Sequence, residues 1–344
     1  MEIRTVSTAG TVDLSAARAD FSRLGLGAFV FLLVTYAIQI VIGAVLGYVD
    51  PYVLDEPLLL LLMSYIPMYC IALPIGCAIM RKVPAHPLEQ NSLRRGQLLK
   101  IVPICFFLMY GGNILGSIIN ESISDAMGIY ISDPVEDFVM SGIPMPALFI
   151  LTVILAPVFE ELVFRKLLID RMNVYGQGTA IVTSALMFGL FHGNLSQFFY
   201  AAALGLAFGY VYTKTGKLRY SIGLHMFVNF WGGIVSGALM MDDSVYRIAS
   251  EGLDLADLTE AQLQEIITVP VVLFVLYTLV TIVLAIAGCV LMIKSAKHAS
   301  LQAAPLQLPR GTGFATVWLN AGMILLTVLC IVLMATTILG GAWL

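Results

Sequence analysis

Residues 146–168 read Pro146-Ala-Leu-Phe-Ile-Leu-Thr-Val-Ile-Leu-Ala-Pro157-Val-Phe-Glu160-Glu161-Leu-Val-Phe-Arg165-Lys166-Leu-Leu168. A helix needs about 20 apolar residues to cross a bilayer core, and this stretch is long enough. It also carries two adjacent carboxylates and an arginine. Each such group costs about 2.5–3.5 kcal/mol at the centre of a span. A run this oily with those groups inside it points to a membrane helix whose charges serve a purpose.

The whole chain agrees with a membrane setting. Of its 344 residues 59% are hydrophobic and 12% charged, and mean hydropathy is +0.93. Soluble domains are near 45–50% apolar and about 25% charged, so an ordinary soluble enzyme and a disordered protein are both excluded. The net charge of −4 leaves no basic surplus for a nucleic-acid backbone. Cys70, Cys77, Cys105, Cys289 and Cys330 lie in apolar runs without metal-type spacing and read as apolar filler.

Apolar runs at 24–49, 57–80, 101–119, 146–168, 178–193, 196–213, 221–241, 268–293 and 314–341 predict an all-α polytopic protein of about nine transmembrane helices. Eight result if 178–213 is one re-entrant hairpin. The first run is too long for a signal-peptide core and is read as a retained helix. With the N-terminus in the cytoplasm, every basic residue except Arg247 falls in an inside segment. Most acids fall outside, among them Glu121, Asp125, Asp133, Glu136, Asp137 and the run from Asp242 to Glu265. The positive-inside bias therefore favours nine spans, with the C-terminus outside. The 242–267 segment reads as a solvated outer loop, with Thr259 placed to cap a short helix over 257–265. The chain divides into N-terminal membrane helices (1–144), a core (145–240), and an outer loop with two final helices (241–344).

Ionisable groups inside spans gather in 157–229. Glu161 and Arg165 are i,i+4 with the acid first, the favourable order for an ion pair. Glu160 points elsewhere, about 140° from Arg165 on the helical wheel, and has no partner in its own helix. An unpaired carboxylate facing a polar cavity suits general-base work. His192 ends Phe-Gly-Leu-Phe-His, and Gly193-Asn194 break the helix behind it. His225 and Asn229 are i,i+4 and share a face. They offer either two donors for an oxyanion or a polar contact between helices. Counted at 1.5 Å per residue from the inner helix ends, all four groups fall within a band of about 12 Å at mid-membrane. Gly205 and Gly209 form Gly-x-x-x-Gly, a pattern that serves packing within a chain as well as between chains. The oligomeric state is therefore not readable.

Glu-Glu-x-x-x-Arg (160–165), Phe-x-x-x-His (188–192) and His-x-x-x-Asn (225–229), in this order on separate spans, resemble the CPBP family of intramembrane proteases. The family is also called ABI, and it includes the type II CAAX prenyl proteases and lysostaphin-resistance-like proteins. The resemblance covers roughly 145–240. One departure is Lys166, where many members have glycine. The resemblance implies a catalytic helix bundle in a bacterial cell membrane and an endopeptidase acting on a membrane-associated protein or peptide. It implies Glu160 as general base, with His192 helping to orient a water. His225 and Asn229 would donate to the oxyanion, and Glu161 with Arg165 would hold the carboxylate in place. No cofactor is expected. Glu and His nevertheless suit zinc, so a metal held by Glu160, His192 and His225 stays open, although the His-Glu-x-x-His helix of zinc proteases is absent. Two other classes stay open: a non-catalytic immunity or scaffold protein, and a secondary transporter, since buried carboxylates and histidines also mark proton relays.

Overall fold

The computed structural model describes residues 12–131, 141–250, 259, 266–302 and 304–340. Among these, eight helices are long and apolar enough to cross a membrane. The protein is an integral membrane protein of helices. In chain order the elements are α1 (Leu14–Val49), α2 (Pro57–Met80), α3 (Arg95–Met127), α4 (Met145–Tyr175), α5 (Gln177–Leu190), α6 (Leu195–Thr215) and α7 (Leu218–Met240). They continue with α8 (Asp243–Ser250), α9 (Val269–Ala296), α10 (Gly313–Trp318) and α11 (Ala321–Ile338).

The expected ninth span, 178–193, is α5, a helix of 14 residues. At 1.5 Å per residue it is about 21 Å long, short of a bilayer core. Two features end it. Gly193 takes φ +65°, and the Asn194 side chain accepts from Gln197 N to start α6. α5 and α6 pack side by side, and a Cβ at Gly205 would lie 2.9 Å from Ala185 Cα. The Gly-x-x-x-Gly pattern thus serves packing inside the chain.

Three other boundaries differ from the sequence reading. α1 begins at Leu14, not at residue 24, because Asp13 caps it through the amides of Ser15 and Ala16. Its first turns also bury Ala17 and Phe21 in the main core, beside Leu168 and Ile169 of α4. The last span is broken rather than continuous. Buried Asn320 donates to the carbonyls of Thr316 and Val317 and accepts from Met323 N, closing α10 and capping α11 with one side chain. A helix also stands where a loop was expected: Asp242 accepts from Ser244 N and Val245 N to start α8, and Val245 is fully buried. Of the segment 257–265 only Thr259 is described, so the expected helix there lies outside the described residues.

The main core joins α1, α2, the C-terminal half of α4, α5 and α11. A second cluster, containing Cys105, Met109, Leu204, Phe208 and Leu224, joins α3, α6 and α7. α4 lies between the two and carries the acids.

Candidate active site

α4 is not a regular α-helix. Residues Phe149–Leu155 and Leu162–Ile169 are wide π-helical turns, and the acids sit on the α-helical piece Ala156–Glu161 between them. Wide turns of this kind recur at functional sites. The first has a local cause. Ala156 N donates to Leu151 O in the i→i−5 pattern. The next donor in that pattern would be residue 157 to Thr152 O, but Pro157 has no N–H. Asn229 of α7 supplies the missing donor, its Nδ2 lying 2.9 Å from Thr152 O. In the second wide turn, Ser184 of α5 donates to the Phe164 carbonyl at 2.6 Å. Neighbouring helices therefore satisfy what the irregular ladder leaves open.

Glu161 points inward and is fully buried together with Arg165. Arg165 Nε lies 3.2 Å from Glu161 Oε2, within ion-pair distance though not aligned as a hydrogen bond. The guanidinium stands 4.6 Å from the Phe188 ring centroid and 5.5 Å from that of Phe208. Cation–π attraction therefore supports a charge that no further hydrogen bond satisfies among the described residues. On its other side Glu161 Oε1 meets His225 Nδ1 at 3.1 Å. With Glu161 ionised beside Arg165, that nitrogen donates.

Glu160 faces elsewhere, as the helical wheel requires. Its side chain keeps 28% exposure, and its Oε2 lies 3.6 Å from His225 Nε2. His225 is thus bracketed by both carboxylates. The His225 ring stacks on Phe208 at 5.2 Å and meets Phe188 edge-on at 5.6 Å.

Glu160 and His192 line one cavity of about 160 Å³, walled by Phe31 of α1 and Tyr69 of α2 as well as by Phe159 and Phe188. His192 Nδ1 is 2.9 Å from Phe188 O. A carbonyl only accepts, so Nδ1 carries the hydrogen, and in the neutral ring Nε2 is left as an acceptor.

Four of the six residues singled out in the sequence, Glu160, Arg165, His192 and His225, thus surround Phe188 or the cavity beside it, and Glu161 joins them through Arg165 and His225. Asn229 is committed through one Nδ2 contact to Thr152 O. Neither His225 nor Asn229 lines the cavity that holds Glu160 and His192. Among the described residues no group of three His, Cys, Asp or Glu side chains is placed to hold a metal ion. Glu160, His192 and His225 are not brought together as such a group. The sequence reading missed Phe208 and Tyr69. Tyr65 and Tyr69 repeat at i,i+4 around Pro67 in an otherwise aliphatic run, and that repeat is the available signal.

Residues 142–231 match the family model described as type II CAAX prenyl endopeptidase, Rce1-like. The match runs from just before α4 to Trp231 of α7, and it includes every site residue except those contributed by α1 and α2. The chain is also 24% identical over 166 residues to the Bacillus subtilis (strain 168) protein named "Putative membrane peptidase YdiL". That match covers 45% of this chain and 66% of the relative, so the chain spans just under two thirds of the relative's length. No solved structure gives a significant match. The Rce1-like match points to a membrane protease.

Proposed function

We propose that the protein is an intramembrane endopeptidase that hydrolyses a peptide bond of a membrane-associated protein or peptide. The observation that carries this reading is the division of labour between the adjacent acids. Glu161 is locked to Arg165 and His225, while Glu160 is left to the cavity it shares with the free nitrogen of His192. A water held between Glu160 and His192 Nε2 loses a proton to Glu160 as its oxygen attacks the carbonyl carbon. Collapse of the tetrahedral intermediate breaks the C–N bond, and the leaving nitrogen takes that proton back. His225 sets the orientation of Glu160 from the side opposite Glu161. The charge asymmetry of the loops places the N-terminus in the cytoplasm in this reading.

The test is Glu160→Gln in the full chain, reconstituted in phospholipid vesicles with a pool of quenched fluorogenic peptides bearing membrane-spanning apolar stretches. Glutamine keeps the shape and removes the base. A general base contributes about 10²–10⁴-fold, and a loss of that size with an unchanged melting temperature is expected. Retained turnover overturns the reading.

A further inference from the structure

The proposed reaction places negative charge on a carbonyl oxygen inside the cavity, and that charge needs a donor. The two residues with the obvious donors are already engaged. His225 Nδ1–H is given to Glu161, Asn229 is tied to Thr152 O, and neither faces the cavity. Two other polar side chains on the cavity wall, Thr35 and Gln39, are also engaged, while the Tyr36 hydroxyl lies on the α1 side of the wall. Thr35 donates to Phe31 O and Gln39 donates to Ser64 O. Tyr69 is different. Its hydroxyl is buried and has no hydrogen-bond partner among the described residues, although buried polar groups nearly always find one.

Local structure holds Tyr69 in place. It lies in a wide turn, Met68–Ala72, that follows Pro67 in α2. Its ring stacks on Phe159, the residue before Glu160, with centroids 4.3 Å apart and planes 20° from parallel. Tyr65 packs edge-on against its other side at 5.6 Å. The ring is therefore fixed next to the proposed base by a residue of the same helical piece, and its O–H is a buried donor without a partner among the described residues. Tyr69 lies outside residues 142–231.

We propose that Tyr69 is a further catalytic residue, donating its hydroxyl hydrogen to the oxygen of the scissile carbonyl as that oxygen becomes an anion. The inference rests on the hydrolytic reading of the cavity. When water attacks, the carbonyl π pair moves to oxygen and is met by the Tyr69 O–H. When the C–N bond breaks, the pair returns and the hydrogen bond weakens, with Tyr69 neutral throughout. The hydroxyl is shielded from bulk water, which is where a fixed donor acts most strongly.

The test is Tyr69→Phe, which keeps the stacking and removes only the donor. The full chain in phospholipid vesicles is assayed with the same fluorogenic peptide pool, beside Glu160→Gln. Loss of one oxyanion donor costs about 10²–10³-fold in kcat. The expected result is a kcat lowered about 100-fold, KM within about twofold, and a melting temperature unchanged or raised. A Y69F protein with wild-type kcat overturns the Tyr69 proposal and leaves the hydrolytic reading standing, provided that E160Q is inactive. A purely structural role for Tyr69 would lower the melting temperature without separating kcat from KM, and that pattern also overturns it. Cleavage by E160Q, or no cleavage by the wild-type chain, overturns both.

Discussion

α4 and α9 are both apolar helices of membrane-spanning length, and they solve opposite problems. α9 runs unbroken from Val269 to Ala296, with an ionisable group only near its end, at Lys294, apart from its weakly acidic tyrosine and cysteine. Val283 and Ile286 are more than half exposed, as suits a surface that faces lipid. α4 turns π-helical twice within 31 residues and buries Glu161, Arg165 and Asp170. Regular helices close their own backbone hydrogen bonds and need little from neighbours. α4 borrows donors from Ser184 of α5 and Asn229 of α7, and a ring face from Phe208 of α6. Irregularity and buried charge therefore occur together, and both are sustained by other elements.

The comparison breaks first at Arg165. Arg165→Met keeps the length and apolar stem of the side chain and leaves Glu161 buried without its cation. Removing one partner of a buried pair costs about 3–5 kcal/mol, so this variant should unfold far more readily in detergent melts. Lys294→Met, which removes the α9 cation at an exposed position, should stay within about 0.5 kcal/mol. Equal effects at the two positions would show that the interior charge is not specially held.

Asn229 sharpens the comparison at a smaller scale. Asn229→Ala leaves the Thr152 carbonyl without the donor that Pro157 cannot supply. The site is only partly buried, so the expected loss is about 1 kcal/mol. A Pro157→Ala background restores a backbone N–H, and there the same substitution should cost less. A double-mutant cycle in thermal melts measures that coupling. Zero coupling would separate Asn229 from the wide turn.

Much of this was legible in the residues themselves. The i,i+4 order of Glu161 and Arg165 gave the ion pair, and the 100° step between neighbours separated the two acids. Gly193-Asn194 marked the end of α5. What could not be read was set by contacts between distant elements. Pro157 announces a missing donor, but the π-helical answer depends on Asn229, 72 positions away in the chain by subtraction of their numbers. The break at Asn320 and the early start of α1 follow from caps and packing inside otherwise uniform apolar runs, where composition carries no boundary. Tyr69 sits in a span whose pattern shows only oil, and its relation to Glu160 comes from stacking on Phe159. Residue type and spacing thus reveal groups that cost energy alone, whereas groups that matter through a neighbour emerge only with the fold.

The smallest expected effect is the sharpest check on the lipid-facing reading of α9. Ile286 is 62% exposed and Ile169, near the C-terminal end of α4, is fully buried in the main core. In water both losses of bulk would be counted against solvent. In a bilayer the unfolded span still lies in hydrocarbon, so an outward isoleucine gains nothing from burial and only packing distinguishes the two positions. Ile169→Ala opens a cavity in a packed interior, where such changes cost about 2–5 kcal/mol. Ile286→Ala removes atoms that lipid tails replace, and its cost should stay below about 0.5 kcal/mol. Melting both variants in phospholipid nanodiscs measures the difference directly. A large loss at Ile286 would mean that the outer face of α9 is covered by protein, and the contrast with α4 would then lie in helix geometry and charge alone.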